Sequence, residues 1–275
     1  AGDGTLSVRP MPPLQLHWPV DGHVHFHSLN RVEPTLDAAA AHFRAQFGWT
    51  EGLLGALLLT QTSGERVFES LQAGHTAGAW TISPASDEPE SLIARRGQVA
   101  VAIVCGRQVR AADGLEVLGL GTCQTYSDGL SFKEAVERVH DSGALTVLPW
   151  GFGKWVGERG RRVEHVLDTL GPSKVFLGDN GNRLAVLGLP GLIRTGQREG
   201  FRVLPGTDPF PLSRTPGRVG AFGFCSAIEP SVAAPWRALR EWLIAQSSSP
   251  PAYGNAVGPL RFVLDQVGLR LHKKS

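Results

Sequence analysis

Residues 14–27 read LQLHWPVDGHVHFH, and the rest of the chain is best read outward from them. Leu14 to Val20 is strand-like. From Asp21 to His27 histidines then alternate with apolar residues. Residues two apart on a strand share a face, so His23, His25 and His27 present their imidazoles in one direction. Imidazole is the commonest protein ligand for metals. One histidine would suit a solvated strand end. Three at alternate positions beside Asp21 point instead to a metal site at the end of a first strand.

Strand-like and helix-like segments alternate beyond this point. Helical periodicity runs from Pro34 to Phe47, with Leu36, Ala40, Phe43 and Phe47 on one face and Pro34 in the first turn. Gly52 to Thr60 reads as a buried strand, and Glu65 to Leu71 as a short helix. Four strands follow, Ala79–Ser83, Leu92–Arg96, Val99–Cys105 and Leu115–Leu120, with a hairpin signal at Asp113-Gly114. They read as a β-meander inserted around residues 76–122. The strand–helix rhythm then resumes. Ser131 to His140 is a helix with a capping-box pattern at Ser131 and Glu134 and a stop at Gly143. Further helices are expected at Arg161–Leu170, Trp236–Ile244 and Pro259–Val267, and strands at Ala144–Leu148, Lys174–Leu177, Arg202–Leu204 and Val219–Phe224. Ser247 to Pro251 reads as a loop and residues 1–13 as a flexible lead-in.

Such alternation implies a mainly parallel sheet. The expected fold is one α/β domain over residues 1–275, a TIM-like (β/α)7–8 barrel carrying the meander. A doubly wound open sheet is the alternative. No G-x-G-x-x-G follows the first strand, which counts against dinucleotide binding.

Composition sets limits. A chain of 275 residues, 42% hydrophobic, can bury one large core. Its net charge of +2 provides no strong field, so neither nucleic acid nor an anionic membrane is expected as a partner. Three cysteines, Cys105, Cys123 and Cys225, lie in or near apolar runs and read as reduced core thiols. No apolar run is long enough to span a bilayer, and no charged-then-apolar leader opens the chain. The expectation is a cytoplasmic protein.

Several polar motifs follow short apolar strands. Leu145–Leu148 leads into PWGFGKW at 149–155, Val175–Leu177 into GDNGNR at 178–183, and Val203-Leu204 into PGTDPF at 205–210. In an α/β barrel the loops after the strands meet on one face, and that face holds the active site. Asp208 is the leading carboxylate. Asp179 and Glu116 are further candidates, each with an ordinary turn or strand role as the alternative. Asp21 would orient a histidine or simply turn with Gly22. Lys154, between two tryptophans, could meet an anionic substrate group; Arg107, Arg183, Arg214 and Arg218 are weaker candidates. Trp150 and Trp155 would wall a pocket or pack in the core.

These motifs resemble those of the PHP (polymerase and histidinol phosphatase) metal-dependent hydrolases, and more loosely the wider group of barrel hydrolases that includes the amidohydrolases. Asp21, His23 and His25 match the opening D-x-H-x-H. Gly206-Thr207-Asp208-Pro209-Phe210 stands where that family has G-S-D-x-H, with Arg218-Val219-Gly220 following. Glu116, or failing it Asp179, takes the place of a strand-end acid, and Pro149-Trp150 lies where a His-Pro pair is expected. The His-Pro histidine is therefore absent, and Phe210 replaces the last histidine. The resemblance implies a one- or two-metal site of His23, His25 and Asp208, with His27, Asp179 or Glu116 as further ligands.

Mixed histidine and carboxylate ligation suits a divalent transition metal, Zn, Mn or Fe. The leading expectation is a metal-dependent hydrolase acting on a small, anionic substrate. His23 and His25 would be ligands, Asp208 a ligand or general base, and Lys154, Arg183 and Trp150 would contact substrate. Phosphoester hydrolysis follows from the resemblance; amide or lactone hydrolysis, or a metal-dependent decarboxylation, would use much the same parts. The alternative is a catalytically inactive barrel of the PHP or amidohydrolase kind that binds a ligand or a protein.

Overall fold

Gly52–Leu59 and Val99–Val104 are apolar at nearly every position and, Gly52 apart, are buried throughout. Strands of that kind belong in the middle of a parallel sheet covered on both faces. They pair in parallel at the centre of the larger of two sheets. The computed structural model describes residues 18–183, 188–212 and 216–257. The expected lead-in, residues 14–17 of the first strand, Arg214 and the final helix at Pro259–Val267 lie outside them.

In chain order the first strands are β1 (Trp18–Val24), β2 (Gly52–Leu59), β3 (Thr81–Pro84), β4 (Ser91–Arg96), β5 (Val99–Val104) and β6 (Gly106–Arg110). Then come β7 (Glu116–Leu120), β8 (Leu145–Pro149), β9 (Val175–Asp179), β10 (Val203–Pro205), β11 (Phe222–Ser226) and β12 (Ala252–Gly254). The helices are α1 (Val32–Phe47), α2 (Val67–Gln72), α3 (Phe132–Asp141), α4 (Gly157–Leu170), α5 (Gly191–Arg198) and α6 (Pro235–Ala245). The capping box of α3 forms as expected, Ser131 and Glu134 bonding reciprocally.

The strands do not close into the expected barrel. They form a seven-stranded sheet, β12-β11-β1-β2-β5-β4-β3, and a five-stranded sheet, β10-β9-β8-β7-β6. Both are mixed. The pairs β1–β2, β2–β5, β8–β9 and β9–β10 are parallel, and the rest antiparallel. The reason lies between residues 81 and 120. Those strands run as antiparallel hairpins without intervening helices, so the barrel rhythm is lost there. Nor are they an insertion: β5 sits at the centre of one sheet, and β7 bridges β6 and β8 in the other.

The sheets face each other across a shared core. Trp18, Val20, Ala56, Leu58, Ala102 and Val104 meet Leu118, Leu120, Leu145, Val147, Phe176 and Leu204. Outer faces are covered by helices, with Leu36 and Phe43 of α1 packing on Leu57 and Leu59. Val136 of α3 and Val163 of α4 cover the smaller sheet.

One irregularity in β1 decides where the histidines point. Asp21 pairs with Leu57 and Val24 with Leu59, so three steps along β1 match two along β2. This is a bulge, one extra residue in a strand. Before it, Val20 lies in the core between the sheets. After it, Val24 and Phe26 lie under α1. Unbroken alternation would have sent the even-numbered residues inward throughout; the bulge sends His23 and His25 inward instead.

The fully buried Asp21 carboxylate fixes this arrangement. Oδ1 accepts from the Thr207 N–H at 2.8 Å and the His23 N–H at 3.4 Å. Oδ2 accepts from the Thr207 hydroxyl at 2.6 Å and the Gly220 N–H at 2.9 Å. Burial pushes the carboxyl up to about 6 against these four bonds. Gly206 completes the junction, because a Cβ there would overlap the backbone nitrogen of His23. An amide at position 21 would turn donors toward donors. Asp21→Asn is expected to destabilise the fold by roughly 2–4 kcal/mol, from buried hydrogen-bonding groups left unpaired. Urea unfolding measures this, and a change under 0.5 kcal/mol would contradict the assigned role.

Candidate metal centre

The bulge brings His23 and His25 to the end of β1, and the loop after β10 brings Asp208 to meet them. His23 Nε2 lies 3.1 Å from His25 Nε2, and Asp208 Oδ1 lies 3.5 Å from each. A tetrahedral zinc with bonds of about 2.0–2.1 Å holds neighbouring ligand atoms about 3.3 Å apart. The three atoms thus already stand at the edges of such a coordination shell. His25 Nδ1 is buried and has no hydrogen-bond partner among the described residues. This donor set fits a divalent metal.

Asp208 is held in place by its neighbours. Its N–H donates to the His23 carbonyl at 2.8 Å. Asn180 Nδ2 donates to Oδ2 at 3.0 Å, leaving Oδ1 toward the histidines. Asn182 Nδ2 donates to the Asp208 carbonyl at 2.7 Å, and Arg218 in turn donates to Asn182 Oδ1 at 2.9 Å. Asp208 has φ +43°, a left-handed conformation that residues with a side chain seldom adopt.

Electrostatics favour ligation. Burial pushes His23 down to about 4, so its imidazole is neutral at neutral pH. Burial alone would raise the Asp208 carboxyl, but His23, His25 and the Lys154 charge outweigh it and hold it well below the usual carboxylate range. Burial lowers His25, and Asp208, with the Glu65 and Glu116 charges, more than reverses this.

Other candidates are engaged in different ways. Lys154 Nζ lies 2.5 Å from Glu116 Oε1. Its stem folds over Gly151, where a Cβ would overlap it. The pair flanks the histidines, the Lys154 charge acting on His23 and Asp208, and the Glu116 charge on His25. The Asp179 carboxylate is taken by Arg183, whose Nη2 lies 2.8 Å from Oδ2 and Nε 3.0 Å from Oδ1. Trp150 and Trp155 both pack on the core outside the smaller sheet. His27 belongs to a second group, with His25 and Glu65, whose ligand atoms lie within 4.8 Å of one another.

Glu65, Thr60 and Gln108 went unnoticed in the sequence as site residues. Thr60 Oγ1 lies 3.3 Å from His25 Nε2, and Gln108 Oε1 3.2 Å from His23 Nε2. Residues 60–65, TQTSGE, are a polar turn at the carboxyl end of β2. The rule that singled out the loops after β8, β9 and β10 would have found them. Gln108 sits on a short polar strand and gave no such signal.

No family model and no curated protein matches the sequence. Among solved structures the chain is similar to PsfC from Pseudomonas syringae PB-5123, with a TM-score of 0.58 and 15% identity over 93% of this chain and 98% of that one. That likeness is one of fold. A second match is the novel lesion-specific endonuclease PfuEndoQ from Pyrococcus furiosus, with a TM-score of 0.49 and 13% identity over 82% of this chain and 55% of that one. So distant a likeness carries no argument about this site. The exclusion of nucleic acid as a partner does not stand, because it rested on net charge alone. The net charge of +2 is a whole-chain sum and does not describe the field over one face. No helix among the described residues is long and apolar enough to cross a membrane.

Metal binding must displace any proton that Asp208 and Glu65 favour on His25. Metal affinity is therefore expected to fall as pH drops through the raised range of this imidazole. Calorimetry of zinc binding at neutral pH, in two buffers of different ionisation enthalpy, should show proton release. A binding enthalpy independent of buffer would contradict it.

Proposed function

We propose that this chain is a metal-dependent hydrolase acting on anionic phosphoesters, with Zn, Mn or Fe held by His23, His25 and Asp208. The observation that carries the reading is the convergence of His23 Nε2, His25 Nε2 and Asp208 Oδ1 on one point in a largely buried site. Two imidazoles and a carboxylate are the donors such a metal prefers. When bound, it would supply a Lewis acid and make a water molecule nucleophilic near neutral pH.

The residues around this point have separable tasks. His23 is neutral and ready to ligate. Asp208, kept ionised by its neighbours, is a poor proton acceptor and acts as a ligand rather than a general base. Asn180 sets which carboxylate oxygen faces the histidines. Asp21 orients rather than ligates, since both its oxygens are occupied. Lys154 is the cation beside the site, and a substrate phosphoryl group would compete with Glu116 for it. The choice of phosphoesters draws on this lysine and on the PHP resemblance at Asp21, His23, His25 and Asp208.

A second reading, an inactive ligand-binding protein, has one observation in its favour. Glu116 and Asp179, the other candidate acids, are neutralised by Lys154 and Arg183. Elemental analysis separates the two. Wild-type protein is expected to hold stoichiometric metal that His23→Ala/His25→Ala lacks, and a chelator should abolish hydrolysis of chromogenic phosphoesters. Asp208→Asn is expected to lower kcat/KM about a hundredfold or more. Lys154→Ala should raise KM about tenfold with metal content unchanged. Wild-type protein that takes up no metal on incubation with each ion would leave the ligand-binding reading.

A further inference from the structure

Cys105 is the residue at which the chain crosses from one sheet to the other. β5 ends at Val104 in the larger sheet, and β6 begins at Gly106 in the smaller. Gly106 pairs with Leu120 of β7, so Cys105 stands opposite Gly121, whose N–H donates to its carbonyl at 2.8 Å. Cys105 Sγ lies 3.1 Å from the Thr122 carbonyl oxygen, and the next residue along is Cys123. The two thiols are within hydrogen-bond reach of each other. Both belong to the core that α1 covers, Cys105 within it and Cys123 packed against it.

The pair is asymmetric in a way that suits oxidation. Cys105 is fully buried, whereas Cys123 is half-buried. The hydrogen bond from Cys105 holds the Cys123 thiol below its ordinary value, and the Arg107 charge adds to this against burial and the Glu69 charge. Burial, with Cys123 beside it, pushes the Cys105 thiol well up. A thiol that ionises readily and can be reached meets an oxidant first, and a second thiol in contact with it resolves the product. Cys225, the third cysteine, is too far away to compete. It sits in β11, and β1 and β2 lie between that strand and β5. Three strand spacings are roughly 14 Å, whereas a disulfide needs Cα atoms within about 7 Å. Burial also pushes the Cys225 thiol up to about 11.

We propose that Cys105 and Cys123 are a peroxide-sensitive pair that closes reversibly to a disulfide. The Cys123 thiolate attacks one oxygen of hydrogen peroxide. The O–O bond breaks, Cys123 becomes a sulfenic acid and hydroxide leaves. The Cys105 sulfur then attacks the Cys123 sulfur. The S–S bond forms as the S–O bond breaks, and the hydroxyl leaves with the Cys105 proton as water. Two electrons pass from the sulfurs to the peroxide, and exchange with a reduced dithiol restores both thiols. The bond ties the crossover between the sheets to the loop after β7. That loop also carries the Cys123 and Gln124 carbonyls to which Arg107 donates, and Arg107 Nη1 in turn donates to the Glu65 carbonyl at 3.2 Å. The chemistry uses neither the histidines nor Asp208, so it is independent of the hydrolase reading.

The test is exposure of the full chain, with a chelator present, to a small excess of hydrogen peroxide, followed by thiol titration in denaturant and peptide mass mapping. Wild-type protein is expected to fall from three free thiols to one. Its Cys105 and Cys123 peptides should be joined and lighter by two hydrogens, and dithiothreitol should restore all three thiols. Cys225→Ser should fall from two thiols to none. Cys105→Ala should stop at a Cys123 sulfenic acid that dimedone captures, and Cys123→Ala should keep both its thiols at the same dose. Thermal unfolding checks that these variants fold, and the wild-type map decides the matter where one does not. Three thiols surviving in wild type would overturn the proposal. Oxidation of Cys225 as fast as Cys123 would also overturn it, as would a Cys123–Cys123 link between two chains in place of the bond within one.

Discussion

Asp208 reaches the histidines through one buried carboxylate, that of Asp21. Its two oxygens gather N–H and O–H groups from the end of β1, the loop after β10 and the segment before β11. The first lies 186 to 199 residues before the other two, yet together they define one corner of the site. The smaller sheet contributes β10 and the larger contributes β1 and β11. No continuous ladder joins the sheets here, so side-chain and loop bonds do the joining. On the opposite side a parallel bridge between Gln61 and Arg107 has the same task. The candidate metal ligands thus sit where one sheet is fastened to the other.

Charge is distributed with similar economy. Glu116 and Asp179 are each matched by a cation, while Asp208 and Glu65 face histidines. Of these four acids near the strand ends, two are neutralised by a lysine or an arginine and two lie against imidazoles. Sequence position does not reveal this division. It depends on where the loops after β8 and β9 carry their basic side chains, Lys154 to Glu116 of β7 and Arg183 back to Asp179 of β9.

The sequence was most legible where a single physical signal was strong. Both β2 and β5 are apolar runs, α1 has a clean apolar face, and α3 has reciprocal caps; all form close to the expected limits. β6 escaped notice because Gly106-Arg107-Gln108-Val109-Arg110 is polar, and Arg107 is buried by its bonds rather than by hydrophobicity. α5 escaped because Gly191 and Gly196 weaken any helical signal. The barrel failed as an expectation because a rule for strand–helix units was carried across a stretch of hairpins. At the site, alternate histidines and a strand-end aspartate could be named from their pattern. Glu65 was missed although it follows β2 in a polar turn, because the sequence reads it as the first residue of a helix that in fact begins at Val67.

The bulge in β1 makes the motif depend on strand register as well as on composition. Flattening the bulge without removing a residue would restore plain alternation and carry both imidazoles to the face covered by α1. Every side chain of the motif would survive, yet neither imidazole would face Asp208. Removing Gly22 together with the bulge would instead leave His23 and His25 facing inward, so the orientation of the motif turns on the parity of residues between Val20 and the histidines.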